Sequence, residues 1–337
     1  MKDIKRWLPG ALISVVLIAV ILYFVDFGTM LKAIRGANYL LLAIAIPLLF
    51  LWMFVRAKVW QTLLRDRPTY RDVLFSVGEG YLLNNFLPFR LGELGRAFLL
   101  SRKSGLPFGK VIPTVVIERT VDLGFSVAFF LSALPFVVKA EGAAQIGMMV
   151  GGLVIVGLLM MYVIARNNQW ALDLFHKMSA RWPALQKYGG SFLESFFAGL
   201  GVLNDGWLFT RFLLWISFDW LLELAINMLI ILAFFPQAQL AWGLFSVGAS
   251  TFGGSIPSLP GGVGTFDGAI VGALTLLSKD QSTALAVALT TRLYNYLSST
   301  VVGVIGLTSE GQTLSGIYQQ LMAFRKKGND LAVSDLS

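Results

Sequence analysis

Long apolar runs recur along the chain at about 8–25, 38–55, 111–138, 146–165, 207–235 and 284–307. Each is close to, or longer than, the roughly 20 residues that a helix needs to cross a bilayer core. Only 14% of the residues are charged, against 56% hydrophobic, whereas soluble domains carry about a quarter charged residues. So few charges do not cover a globular surface, so lipid is the expected solvent. Helical spans also indicate a bacterial inner membrane, since outer-membrane proteins are barrels.

Two further apolar stretches, at about 73–100 and 240–277, are interrupted by Gly and Pro and carry polar residues at their middles. Irregular backbone facing lipid would strand N–H and C=O groups in hydrocarbon. Such segments persist only when buried in protein or lining a wet cavity. Both read as re-entrant helical hairpins. The expected fold is an all-α integral membrane protein. It has about six full transmembrane helices plus two hairpins, or eight spans if each hairpin is counted as two crossings.

The formal net charge is +8, and its placement sets the orientation. Arg56, Lys58, Arg65, Arg67 and Arg71 read as a loop after the second span. Further basic segments lie at 101–110, at 166–206 and in the tail at Arg325, Lys326 and Lys327, while the loops at 26–37, 139–145 and 278–283 are shorter and less basic. Placing both termini in the cytoplasm puts every basic loop on the cytoplasmic side. A nucleic-acid partner would need a soluble basic face, which the sequence lacks. The N-terminal run is long for a signal peptide and has no convincing cleavage site, so an uncleaved first span is expected. Segment 166–206 mixes Trp170, Leu174, Met178, Trp182 and Phe192 with charges, as amphipathic helices on the cytoplasmic membrane surface do. Residues 1–320 form one polytopic domain in this reading, and 321–337 a disordered cytoplasmic tail. With no cysteine and one histidine, His176, thiolate chemistry and His-based metal sites or triads are not expected. Neither a metal nor a cofactor is expected.

An internal repeat is visible. Ser76-Val77-Gly78, Pro88, Gly92, Gly95, Arg119 and Asp122 align with Ser246-Val247-Gly248, Pro257, Gly261-Gly262, Gly264, Arg292 and Asn295. Repeat one covers about 38–165 and repeat two about 207–307, joined by 166–206. The two hairpins are expected to open from opposite sides of the membrane. That is an inverted-topology repeat, an architecture that places substrate at the repeat interface on broken helices.

Ionisable residues inside apolar segments are costly and mark functional sites by default. The first hairpin holds Glu79, Asn84, Asn85, Arg90, Glu93 and Arg96. Glu93 and Arg96 are three apart and face each other on a helix. Arg90 follows Pro88 near the turn, where a guanidinium can grip a phosphate through paired hydrogen bonds. Glu118, Arg119 and Asp122 lie within one apolar run. Gly261, Gly262 and Gly264 precede a helix that restarts near Thr265, whose free N–H groups suit an anion; Asp267 falls in its first turn. Asp219 and Glu223, with Asn227, form a polar stripe on a long span. They suit either proton coupling or interhelical hydrogen bonding. Arg292 completes the set.

Asn85, Pro88, Arg90, Gly92, Glu93 and Arg96, then Glu118, Arg119 and Asp122, then Pro260, Gly261, Gly262 and Gly264 resemble the signature of the flippase-like, lysylphosphatidylglycerol-synthase transmembrane-region family. The resemblance covers roughly residues 8–310. Asp267 departs from it, since such proteins often carry glutamate there. Two-part members add a soluble domain that aminoacylates phosphatidylglycerol. About thirty residues follow the last expected span, too few for such a domain, so that activity is not expected here. The resemblance implies movement of an anionic or modified lipid between leaflets, the lipid being a phospholipid or an isoprenoid phosphate, by a non-enzymatic transporter. Two alternatives stay open: a membrane-embedded lipid-linked transferase, and a membrane partner of a separate lipid-modifying enzyme.

Overall fold

The computed structural model describes residues 25–87, 91–138, 205–256 and 258–311, with a few single positions elsewhere. The expected spans at 8–25 and 146–165, segment 166–206 and the tail 321–337 lie almost wholly outside these residues, as do Pro88, Arg90 and Pro257. Among the described residues the regular elements are helical: α1 (Phe27–Gly36), α2 (Tyr39–Leu63), α3 (Tyr70–Phe86), α4 (Leu91–Ser104), α5 (Phe108–Val137), α6 (Gly206–Phe234), α7 (Leu240–Ser255), a 3₁₀ turn (Pro260–Gly262), α8 (Thr265–Ser278) and α9 (Gln281–Ser309). The chain is an all-α, multi-pass membrane protein. Among the described residues four stretches are long and apolar enough to cross a bilayer: Tyr39–Leu63, Phe108–Val137, Gly206–Phe234 and Pro260–Ser278. α9 is as long as α6, but Ser, Thr and Asn dilute its apolar character along the run from Thr290 to Ser299.

Three details differ from the reading of the sequence. The second apolar run does not end before Arg56. α2 continues to Leu63, so Arg56 and Lys58 are helical and Arg56 is 3% exposed. Segment 26–37 is not a bare loop but contains α1, which Asp26 caps by accepting from the Gly28 amide. The Thr29 hydroxyl, followed by that amide, holds the Asp26 carboxyl below its ordinary value. Segment 101–110 also shrinks, because Arg102 and Lys103 belong to the last turn of α4 and Lys110 to the first turn of α5.

The broken stretches are helical pairs. α3 packs on α4, and α7 packs on α8. α2 lies along α6 in the most extensive helix contact among the described residues. The first arm of each pair then packs on the long helix that follows the other pair: α3 on α9, and α7 on α5. Both crossings are made close by glycine. A Cβ on Gly78 would fall 2.6 Å from Val302 and 3.0 Å from backbone at Gly303; one on Gly248 would fall 2.7 Å from the Cβ of Phe130 and 2.8 Å from its backbone nitrogen. These two glycines end the Ser-Val-Gly triplets that align in the sequence.

Two larger apolar cores result, beside two small clusters. One joins α2, α3, α5 and α6 around Trp60, Phe212 and Ile216; the other joins α2, α6, α8 and α9 around Leu49, Ile230 and Leu274. A separate ion chain fastens α3 and α4 to the end of α9. Glu79 has no solvent exposure, and the Lys103 ammonium lies 2.7 Å from its carboxylate and 2.5 Å from that of Glu310.

Candidate functional site

The sequence-derived candidates converge where the tips of the two helical pairs meet. Asn85, at the end of α3, donates to Ser299 Oγ on α9 at 2.8 Å. The neighbouring Asn84 side-chain oxygen accepts from the Gly92 amide at 2.8 Å, folding α4 back on α3. A cavity of about 390 Å³ opens here, lined by Arg56, Arg119, Arg292, Glu93, Asp122, Asp219 and Glu223 together with hydroxyl and amide groups of α3, α7 and α9.

Arg56 is the centre of the charge network, and sequence reasoning missed it. Its Nη1 donates to Asp122 Oδ1 and to Asp219 Oδ2, both at 2.9 Å. Its Nη2 lies 2.8 Å from Glu118 Oε1 and pairs as well with Asp122 Oδ2. One guanidinium from α2 thus ties α5 to α6. The signal for it lay in the residues just beyond: Ala57, Val59, Trp60 and Leu63 continue the buried face of the helix.

Arg96 stands behind this centre. It lies 2.8 Å from Glu93 and 2.9 Å from Glu118, and its guanidinium sits 4.6 Å above the Trp60 ring, within cation–π range. The expected Glu93–Arg96 pair on one helical face is therefore present. Arg119 contacts Glu118 at 2.7 Å, Asp122 at 3.3 Å and Glu93 at 3.5 Å. Helical spacing turns Arg119 away from Glu118 but makes it a neighbour of Asp122, three residues on, and its long side chain reaches both. The Arg119 side chain is 29% accessible, against 3% for Arg56 and 2% for Arg96. Of these three, Arg119 is the most exposed.

The second half holds a simpler pair. Arg292 Nε and Nη2 donate to the two oxygens of Asp267, each at 2.6 Å, and its Nη1 donates to the Gly261 carbonyl at 2.8 Å and to Tyr296 Oη at 3.1 Å. Gly261 has φ of +72°, a conformation open to glycine at little cost. The Gly264 amide donates to Asp267 Oδ2 at 3.0 Å. Asp267 thus meets both the amide that precedes α8 and the guanidinium of Arg292. Glu93 and Asp267 are each the third residue of their helix, and each meets the arginine of the following long helix, Arg119 or Arg292.

Among the described residues of this cluster four guanidiniums, of Arg56, Arg96, Arg119 and Arg292, face six carboxylates, of Glu93, Glu118, Asp122, Asp219, Glu223 and Asp267. Asp219 Oδ2 meets Arg56, while its Oδ1 has no hydrogen-bond partner among the described residues. Glu223 accepts from the Asn227 amide at 3.0 Å.

A second recess, of about 420 Å³, adjoins the first between α4 and α5. It is lined by Leu94, Ile112, Val115, Val116 and Leu123, with Glu93, Arg119 and Thr120. Glu93 and Arg119 belong to both walls. Leu94 and Leu123 are each 47% exposed, so the recess lies on the surface of the protein.

The model of a family described as "Lysylphosphatidylglycerol synthase TM region" matches residues 7–303. A "UPF0104 membrane protein" of Methanocaldococcus jannaschii is 27% identical over 224 residues, covering 66% of this chain and 92% of that protein. A "UPF0104 membrane protein" of Methanothermobacter thermautotrophicus is 22% identical over 317 residues, covering 90% of this chain and 93% of that protein. No solved structure matches the chain.

Proposed function

Because the chain belongs to the lysylphosphatidylglycerol synthase TM region family, we propose that it moves a lipid with a phosphate-bearing head group between the leaflets of its membrane. One observation carries this reading: a charged cavity and an apolar surface recess share Glu93 and Arg119. That arrangement has the polarity of a lipid. A head group suits the cavity, and an acyl chain suits the recess, with the ion pair at the junction.

The reciprocal packing of α3 on α9 and α7 on α5 supports reading the halves as an inverted repeat. In such repeats, substrate sits where broken helices meet and the halves rock about it. Arg119 is the reachable guanidinium in this scheme. A phosphate displaces Glu93 or Asp122 from it, while Arg56 and Arg96 hold the remaining carboxylates. Arg292 braces the glycine turn through the Gly261 carbonyl. Charged groups exchanging partners in a site screened from water interact more strongly than they would in water, so the exchange is selective for a doubly accepting anion.

The test is leaflet exchange. Purified protein is reconstituted with head-group-labelled phospholipids, or with a polyprenyl phosphate, and compared with Arg119→Ala. The expected result is protein-dependent exchange of at least one lipid that Arg119→Ala lacks. Folded wild-type protein that exchanges no lipid refutes the function; full exchange by Arg119→Ala refutes the assignment of the site.

A further inference from the structure

Among the described residues the charges around the cavity do not balance, and the shortfall has a location. Arg292 and Asp267 cancel one another. The remaining network has three guanidiniums, Arg56, Arg96 and Arg119, against five carboxylates, Glu93, Glu118, Asp122, Asp219 and Glu223. Glu118 meets all three arginines. Asp122 meets Arg56 and Arg119 and also accepts from the Trp220 indole at 3.1 Å. Glu93 meets Arg96 and Arg119. The uncompensated charge therefore falls on α6. Glu223 has an amide partner but no ion pair among the described residues, and Asp219 spends one oxygen on Arg56. Asp219 is 2% exposed, yet its Oδ1 is buried without a hydrogen-bond partner among the described residues, on the wall of the cavity. A buried carboxylate oxygen in that condition is costly unless something positive or donating sits against it.

The facing groups point the same way. Opposite α6, Ser250 and Thr251 of α7 line the cavity, and both hydroxyls donate to the Val247 carbonyl at 2.9 Å. With their protons committed, they offer the cavity oxygen lone pairs. α7 contains no ionisable side chain. The charged groups near Asp219 are Arg56 of α2, Glu118, Arg119 and Asp122 of α5, and Glu223 of its own helix. Tyr81 of α3 and Arg292 and Tyr296 of α9 line the same cavity, and Lys32 and Arg35 of α1 are exposed.

We propose that Asp219 and Glu223, one helical turn apart on α6, form a binding site for a small monovalent cation, a proton or Na⁺, which couples to movement of the lipid in the adjoining cavity. The coupling role rests on the proposed lipid translocation; the binding site does not. Cation binding relieves the unpartnered Asp219 oxygen and loosens its hold on Arg56. Arg56 is also bonded to Asp122, which Arg119 shares, so occupancy of α6 reaches the guanidinium assigned to the head group. Two sites joined through one such network affect each other reciprocally.

The test needs no lipid transport. Purified full-length protein in detergent is titrated with radioactive sodium chloride at constant ionic strength against choline chloride. In parallel, proton uptake is measured across a pH step in weak buffer. The variants are Glu223→Gln, which keeps the Asn227 hydrogen bond and breaks no ion pair, and Asp219→Asn. Lys32→Met, at an exposed position of α1 outside the cavity lining, is the control. The expected result is saturable uptake of one of the two cations by wild type and by Lys32→Met. That affinity should fall about tenfold or more in Glu223→Gln, equivalent to about 1.4 kcal/mol, and likewise in Asp219→Asn. Sodium uptake with proton release identifies Na⁺; proton uptake indifferent to sodium identifies the proton. Uptake of neither ion, or equal uptake by wild type and Glu223→Gln, overturns the proposal and leaves the lipid reading to its own assay.

Discussion

Arg56→Met removes a buried guanidinium and keeps a side chain of similar length. At 3% exposure, Arg56 lies within 2.9 Å of Glu118, Asp122 and Asp219. Breaking a buried pair by deleting one partner costs about 3–5 kcal/mol, because the other charge is left uncompensated. Here the stranded partners are three carboxylates that were held together by the same group. At about 2–4 °C per kcal/mol, the variant is expected to melt about 6–20 °C below wild type. The nine tryptophans, among them Trp220 bonded to Asp122, supply the fluorescence signal for melting in detergent. Adding Asp219→Asn to Arg56→Met removes one of the stranded charges and should restore about 0.5–3 kcal/mol, the range of coupling between residues in one network. Lys32→Met, at an exposed position, should stay within about 0.5 kcal/mol of wild type. If Arg56→Met melts with Lys32→Met, or if Asp219→Asn gives no rescue, the charge network is not what holds α2, α5 and α6 together.

Other expectations follow from the same geometry. Gly78→Ala and Gly248→Ala press a new Cβ against the neighbouring helix, and each should destabilise by about 1–3 kcal/mol, by similar amounts if the two crossings are equivalent; a thermal melt of both reads this out. Lys103→Met strands the buried Glu79 carboxylate and should cost about 3–5 kcal/mol, largely recovered in the double variant with Glu79→Gln. Arg292→Lys loses the two-pronged contact with Asp267 and the brace on Gly261, so a cysteine at Ser258 should react faster with a polar maleimide than in the Arg292 background. Single cysteines at Arg67 and Gln237, exposed in the turns that lead into the two helical pairs, should label from opposite faces of the membrane; labelling from one face removes the inverted-repeat reading.

Much of the architecture was legible in the sequence because the bilayer enforces it. An apolar run long enough to span forms a helix, and a run broken by Gly and Pro has to hide its backbone. Hence 111–138 and 207–235 anticipate α5 and α6 to within a few residues. Glu118, Arg119 and Asp122 stood out because charge inside an apolar run is conspicuous. Arg56 did not, because Lys58, Arg65 and Arg67 follow it and the group reads as a basic loop. The apolar residues after it mark Arg56 as part of a buried helix, but which carboxylates it meets depends on how α2 lies against α5 and α6. The same holds for Asp267. Its place in a first turn is visible, whereas its contact with Arg292 depends on how α9 packs. α1 was read as a loop because it is ten residues long with no buried residue, so it leaves little apolar periodicity to detect.

Leaflet exchange through a protein whose helical tips can be locked puts the lipid-moving account to its most direct test. Asn85 and Ser299 join the first helical pair to α9 by a 2.8 Å side-chain hydrogen bond, and the chain contains no cysteine. Asn85→Cys with Ser299→Cys therefore places the only two thiols across that contact. Exchange is measured in proteoliposomes after oxidation and again after reduction, with each single cysteine as a control. Exchange that stops on oxidation and returns on reduction, in the double variant alone, is the predicted result. Exchange that continues unchanged through the locked protein would contradict the account.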